Sequence, residues 1–151
     1  MFKEFSEFNF EIIDITVAGV PELFVNINGL TINKKAVEDM GYPQNVLPLL
    51  DVQHKVFAVQ ACRKDVSRAI HFAKAKEEQN SGVSLQSTSL FNTVRNMMGD
   101  AWNSQKRYRV KGIYYPAEKA MLFDLTTADE LDSIRQTRKK GFSNNTPNDG
   151  E

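Results

Sequence analysis

A chain of 151 residues, 41% apolar and 25% charged, has the size and composition of one globular domain or two small ones. Its single cysteine, Cys62, excludes an internal disulfide, and no apolar run reaches the ~20 residues of a membrane-spanning helix. The formal charge of zero hides an asymmetry. Residues 1–61 carry four Lys against eight acids, residues 62–140 fifteen Lys and Arg against nine acids, and the last eleven residues two acids and no base. Such a split points toward an anionic partner. The N-terminus lacks the apolar block of a signal peptide, so the expectation is a soluble, cytoplasmic protein with no membrane partner.

From Phe8 to Val17, apolar Phe8, Phe10 and Ile12 alternate with Asn9 and Glu11, the pattern of a half-buried strand. Gly19 and Pro21 break it, and alternation resumes from Leu23 to Asn33 with an interruption at Gly29. Asn33 suits an N-cap for a short helix over "KKAVEDM", with Gly41 at its C′ position. "NVLPLLD" (45–51) and "KVFAVQAC" (55–62) predict a hairpin, in which Pro48 belongs at an edge or bulge.

"RKDVSRAIHFAKAKEEQN" (63–80) reads as a connecting helix that dissolves into a linker. "SGVSLQ" (81–86) predicts a strand, and "STSLFNTVRNMMG" (87–99) a helix with Leu90, Phe91, Val94, Met97 and Met98 at helical spacing. "KRYRVKGIYY" and "KAMLFDLTTA" form a second hairpin around "PAE". A final helix is expected in "ADELDSIRQTRKK", followed by a disordered tail.

The chain therefore divides into 1–62 (a strand pair plus a first β-α-β-β unit), 63–80 (connector), 81–136 (a second unit and terminal helix) and 137–151 (tail). The expected class is α+β, with the two β-α-β-β units forming a compact, barrel-like sheet body with short helices.

The order "GLTIN", "KKAVEDMGY", "VLPLLD", "KVFAVQA" over 29–62 resembles the AbrB/SpoVT swapped-hairpin domain of bacterial transition-state regulators. That resemblance implies interleaved pairs, built from two chains or from tandem copies in one, most of which bind DNA. Members usually carry an Arg beside the first Gly and a Pro at the helix start. Here Leu30 follows Gly29 and Asn33-Lys34 opens the helix, so no DNA-contacting residue carries over from that loop.

The segment "QKRYRVKGIYY" (105–115) bears the functional signal. Strand alternation puts Arg107, Arg109 and Lys111 on one face, spanning roughly 13 Å at ~3.3 Å per residue, with Tyr108 and Val110 on the other. A row of cations at that spacing can follow phosphates, and the Arg fork suits phosphate or a guanine edge. Lys106, Arg63, Lys64 and Arg68 are candidate extensions of the patch. The competing reading is a solvated strand face whose charges are met internally, with Glu118, Asp124, Asp129 and Glu130 close in sequence.

Two His and one Cys do not make a metal site, no activated nucleophile or Gly-rich phosphate loop is present, and neither cofactor nor catalytic residue is expected. Two functions stay open: a small non-enzymatic nucleic-acid-binding regulator of bacterial or phage type, or a protein-interaction module or inhibitor acting on a host complex. Homo-oligomerisation is compatible with both.

Overall fold

Alternating apolar and polar residues decide most of the architecture. The fold, a computed structural model that describes residues 5–7, 9 and 19–131, is strand-rich and mixed, with two α-helices. The strands are β1 (Glu22–Val25), β2 (Leu30–Ile32), β3 (Asn45–Asp51), β4 (Val56–Ala61), β5 (Ile70–His71), β6 (Val83–Leu85), β7 (Arg107–Tyr115), β8 (Ala120–Asp124) and β9 (Asp129–Leu131). Helix α1 (Lys34–Asp39) follows β2, and α2 (Thr88–Met98) follows β6.

Every pairing is antiparallel, in the order β5-β3-β4-β8-β7-β1-β2-β6, with β9 added alongside β7. The sheet curls into a half-barrel. Its two end strands approach, and Ile70, His71, Val83 and Ser84 line one cleft of about 280 Å³ between them.

β7 joins the two parts of the sheet. Its N-terminal half pairs with β1 on one edge (Leu23↔Val110) and with β9 on the other (Arg109↔Asp129), while its C-terminal half pairs with β8 (Gly112↔Phe123). The inward residues of each strand fill the curl. Leu23, Val25, Leu30, Ile32, Phe57, Val59, Val110, Met121 and Phe123 are buried, joined by Ala36 and Val37 from α1 and Val94 and Met98 from α2.

Local chemistry sets both helix ends. The Asn33 Oδ1 accepts N–H bonds from Ala36 (3.0 Å) and from Glu22 (3.0 Å), and its amide donates to the Val20 carbonyl, so one cap also ties α1 to β1. At the other end Gly41 (φ +80°) donates to Glu38 O and Tyr42 donates to Val37 O, the paired bonds of a Schellman ending. Ser87 Oγ caps α2 through Leu90 N.

The two long hairpins share one register. Asp51↔Val56 recurs as Tyr115↔Ala120, a constant offset of 64 positions (51 to 115, 56 to 120), and Leu49↔Ala58 recurs as Ile113↔Leu122. Each closes through a four-residue turn ending on a lysine with positive φ, Lys55 (+60°) and Lys119 (+55°). The β4–β8 seam is reciprocal under the same offset: Ala61 N donates to Lys119 O and Leu125 N to Lys55 O, each at 2.9 Å.

The break expected at Gly29 is a tight turn that pairs β1 with β2 as a hairpin, because Asn26 N bonds to Gly29 O and turns the chain back. Several expectations are corrected. The connecting helix over 63–80 does not form. Ile70 and His71 pair with β3, Phe72 N and Ala73 N bond to Gln44 O and Pro43 O, and both those residues are buried, so backbone pairing displaces helical spacing there. Nor is that segment a free linker, since buried Gln79 accepts from Lys74 N and donates to Ser81 O. The start of the expected terminal helix is strand β9, drawn into the ladder by the open edge of β7. The expected strand at 8–17 (Asn9 apart), the rest of that helix and the tail lie outside the described residues.

Candidate functional site

β7 carries the predicted basic row, and alternation places it as expected: Tyr108 and Val110 are buried, Arg107 and Arg109 half-buried and Lys111 exposed. The surroundings of each cation differ. Arg109 stands directly opposite Asp129 of β9 and one step from Glu22 of β1; its guanidinium lies 3.4 Å from the Asp129 carboxylate and 3.7 Å from that of Glu22. Arg107 Nε donates to Asn26 Oδ1 at 3.2 Å. Lys111 is opposite Glu22 in register, and no ion pair forms between them. Two of the three cations therefore already have partners within the fold.

The proposed extensions do not gather around the row. Gln60 faces Ala120, which faces Tyr115, so Arg63 and Lys64 lie beyond the Tyr115 end of β7. Arg107 is eight residues the other way, on the order of 26 Å along a strand. Arg63 pairs with Asp65 at 3.4 Å, and Lys64 and Arg68 are exposed in the turns that follow β4. Lys106 precedes β7, half-buried, its carbonyl facing α2.

That carbonyl leads to an arginine that the sequence pattern did not single out. Arg95 of α2 donates to three main-chain carbonyls, Asn26 O (2.7 Å), Lys106 O (2.8 Å) and Asn103 O (3.1 Å), while its guanidinium sits 5.5–5.8 Å from the rings of Phe91, Trp102 and Tyr108. Burial pulls its affinity for the proton below the ordinary guanidinium range. The available signal was position: Arg95 is one turn from Phe91 and adjacent to buried Val94, on a face meant for the core.

Beside it, Trp102 stacks on Tyr108 (centroids 4.5 Å apart, planes 9° apart), and the Tyr108 hydroxyl accepts from Asn103 N at 2.6 Å and donates to Glu130 at 3.0 Å. Trp102, Tyr108 and Glu130, with Lys55, Met97 and Leu125, line a cleft of about 500 Å³. Lys55 is engaged too, its Nζ donating to Met97 O at the C-terminal end of α2, where a cation is favoured. The three ionisable groups of the cleft, Lys55, Tyr108 and Glu130, thus all hold the fold together.

The second feature lies on the outward face of β3, β4, β8 and β7. Reading across the registers gives a row Leu49–Ala58–Leu122–Ile113 and a row Leu47–Gln60–Ala120–Tyr115, followed by Asp51–Val56–Asp124. A concave groove of about 670 Å³ runs over the seam, floored by Ala58 and Ala120 and edged by Leu49 and Tyr115. Leu49, Ile113 and Tyr115 are 41%, 61% and 44% exposed, on a face where an antiparallel sheet ordinarily presents polar side chains to water. The signal in the sequence is that "VLPLL" is apolar at successive positions and so supplies both faces of β3. Asp51, at one corner, has its carboxyl held below the usual range, chiefly by the His54 backbone N–H and next by the His54 ring.

No protein-family model, curated protein or solved structure matches the chain. Among the described residues no helix is long and apolar enough to cross a membrane, and no group of three His, Cys, Asp or Glu side chains converges on a metal-sized site. Cys62 is half-buried at the end of β4, and His71 is exposed on β5.

Burial raises the pKa of the Tyr108 phenol above its ordinary value, with Glu130 adding to the effect. A raised folded-state value means the contribution to stability is complete below about pH 10 and is lost as pH rises through the folded pKa. Melting temperature should therefore fall above pH 10, and this alkaline slope should flatten in Tyr108→Phe. The same substitution strips the acceptor from Asn103 N and should cost about 1–3 kcal/mol at neutral pH in urea denaturation. An alkaline slope identical in the variant would show that Tyr108 is not the titrating group.

Proposed function

We propose that this chain is a small, non-enzymatic binding protein whose working surface is the outward face of β3, β4, β8 and β7, and that its partner is a protein. One observation carries the reading: Leu49, Leu122 and Ile113 form a continuous apolar row across strands where period-two alternation would otherwise place polar residues. Single exposed apolar residues are ordinary, whereas contiguous patches mark docking surfaces. The groove along the seam adds shape, and Asp51, Asp124 and Glu118 give it a polar rim.

The architecture we propose for this surface is a tandem pair of β-α-β-β units, β2-α1-β3-β4 and β6-α2-β7-β8, of the swapped-hairpin kind suggested by the sequence. The shared register, the reciprocal seam bonds and the matching left-handed lysines support it. The helices differ, with six residues in α1 against eleven in α2, so the likeness is strongest in the hairpins.

A second reading, a nucleic-acid-binding regulator, is favoured by the shared outward side of Arg107, Arg109 and Lys111. It has less behind it, because Asp129 and Glu22 already meet Arg109 and Asn26 holds Arg107. Each phosphate contact contributes about −0.9 to the slope of log affinity against log salt.

Two measurements separate the readings. Titration with an apolar fluorescent dye should show binding by the native protein that is lost in the Leu49→Lys, Ile113→Lys double variant, with the melting temperature unchanged. Dye binding unaffected by the variant would contradict the protein-binding face. In an anisotropy salt series with duplex and single-stranded oligonucleotides, the slope should be no steeper than about −2, the value for two contacts. A slope of about −3 or beyond, reduced by Arg107→Ala, Arg109→Ala, would transfer the function to the basic row.

A further inference from the structure

We propose that the partner seated on this face is a second copy of the chain, in a two-fold dimer whose axis runs parallel to the strands along the β4–β8 seam; this rests on the outward face being the working surface. The registers define what such an axis would bring together. Rotation about the seam exchanges β3 with β7 and β4 with β8, so Leu49 of one copy meets Ile113 of the other, and Leu47 meets Tyr115. Ala58 meets Leu122 in both directions, setting a small side chain against a large one across the axis. At the seam the face is thus complementary to itself in size, while the Leu49–Ile113 and Leu47–Tyr115 contacts close over the groove at its edges.

Charge agrees with the same axis. The β3 corner of the face carries Asp51, kept ionised by the His54 N–H, and the β7 corner carries exposed Lys111. The exchange of β3 with β7 sets Asp51 of one copy toward Lys111 of the other, twice. An axis perpendicular to the strands along the Leu49 row would instead set Asp51 against Leu47 and Lys111 against Tyr115, leaving both charges facing apolar side chains.

Three rows on four strands cover roughly 15 by 20 Å, about 300 Å² per copy, from strand spacings alone. That is less than the ~800 Å² per partner of a standard stable interface, so the association should be weak and concentration-dependent.

Sedimentation velocity from 1 to several hundred micromolar tests the proposal on the full chain. The wild type should move from the 17.1 kDa monomer toward a species of twice that mass. Ile113→Asp and Leu49→Asp should each weaken dimerisation at least tenfold with unchanged melting temperature. Asp51→Lys and Lys111→Asp should each weaken it, and the double swap should restore it. A dimer unaffected by Ile113→Asp, or no rescue in the double swap, would overturn the proposed contact.

A wild type that stays monomeric throughout would also overturn it, and hydroxyl-radical footprinting of that monomer then decides what remains. Labelling of Leu49, Ile113 and Tyr115 would leave the face open to a different protein. Protection of all three would mean that the chain's own residues cover it, and the protein-binding reading would fall as well.

Discussion

Antiparallel pairing of β4 with β8 is the constraint on which the rest of the molecule depends. Each strand belongs to its own hairpin, and their pairing turns two local structures into one four-stranded surface. Because side chains alternate strictly, the register Ala58↔Leu122 decides at once which residues enter the curl and which face out. Phe57, Val59, Met121 and Phe123 go inward and are fully buried. A slip of either strand by one residue would turn its inward pair, Phe57 and Val59 or Met121 and Phe123, to the outside, so the register is strongly enforced from the inside. The outward rows, with Leu49 and Ile113 exposed, follow from it without being required by it.

The uneven charge of the chain finds much of its explanation inside the fold. Glu22, from the acidic first part, lies beside Arg109 from the basic second part because β1 pairs with β7. Lys55 reaches from the first hairpin turn to the C-terminal end of α2, and Arg95 reaches from α2 to the β1–β2 turn at Asn26. Arg95 has no carboxylate partner among the described residues; three carbonyl oxygens and three aromatic faces share its charge. A cation in that position serves as a clamp among elements distant in sequence. The asymmetry that suggested an anionic partner is therefore partly an internal one.

What the sequence disclosed follows physical range. Helix ends were legible because caps are local: Asn33, Gly41, Ser87 and Gly99 act within one turn of themselves. The two long hairpins were legible because turn chemistry and alternation are local too, and the inward placement of Tyr108 and Val110 came with them. Segment 63–80 was not, since two residues of strand at Ile70–His71 exist only because β3 offers an unpaired edge at Asn45 and Val46. The same holds for β9, which forms against β7 from residues whose own pattern suggested a helix. At the site, the direction of Arg107, Arg109 and Lys111 could be read from period two and Asp129 stood among the acids close in sequence, but Asn26 and Glu22 could not be foreseen, because they lie more than eighty positions away in the chain. The apolar rows required four strands to be in register before they existed at all.

The most direct test of this account is a cross-link at the seam. The flanking bonds Ala61 N to Lys119 O and Leu125 N to Lys55 O place Ala58 and Leu122 at a non-hydrogen-bonded pair, where Cα atoms approach to about 4.5 Å. Such a spacing suits a disulfide. In a Cys62→Ser background, Ala58→Cys with Leu122→Cys should oxidise rapidly to an intramolecular disulfide, while Phe57→Cys with Leu122→Cys, which point to opposite faces, should not. Efficient bridging of the second pair, or failure of the first in a folded protein, would contradict the register and with it the outward face.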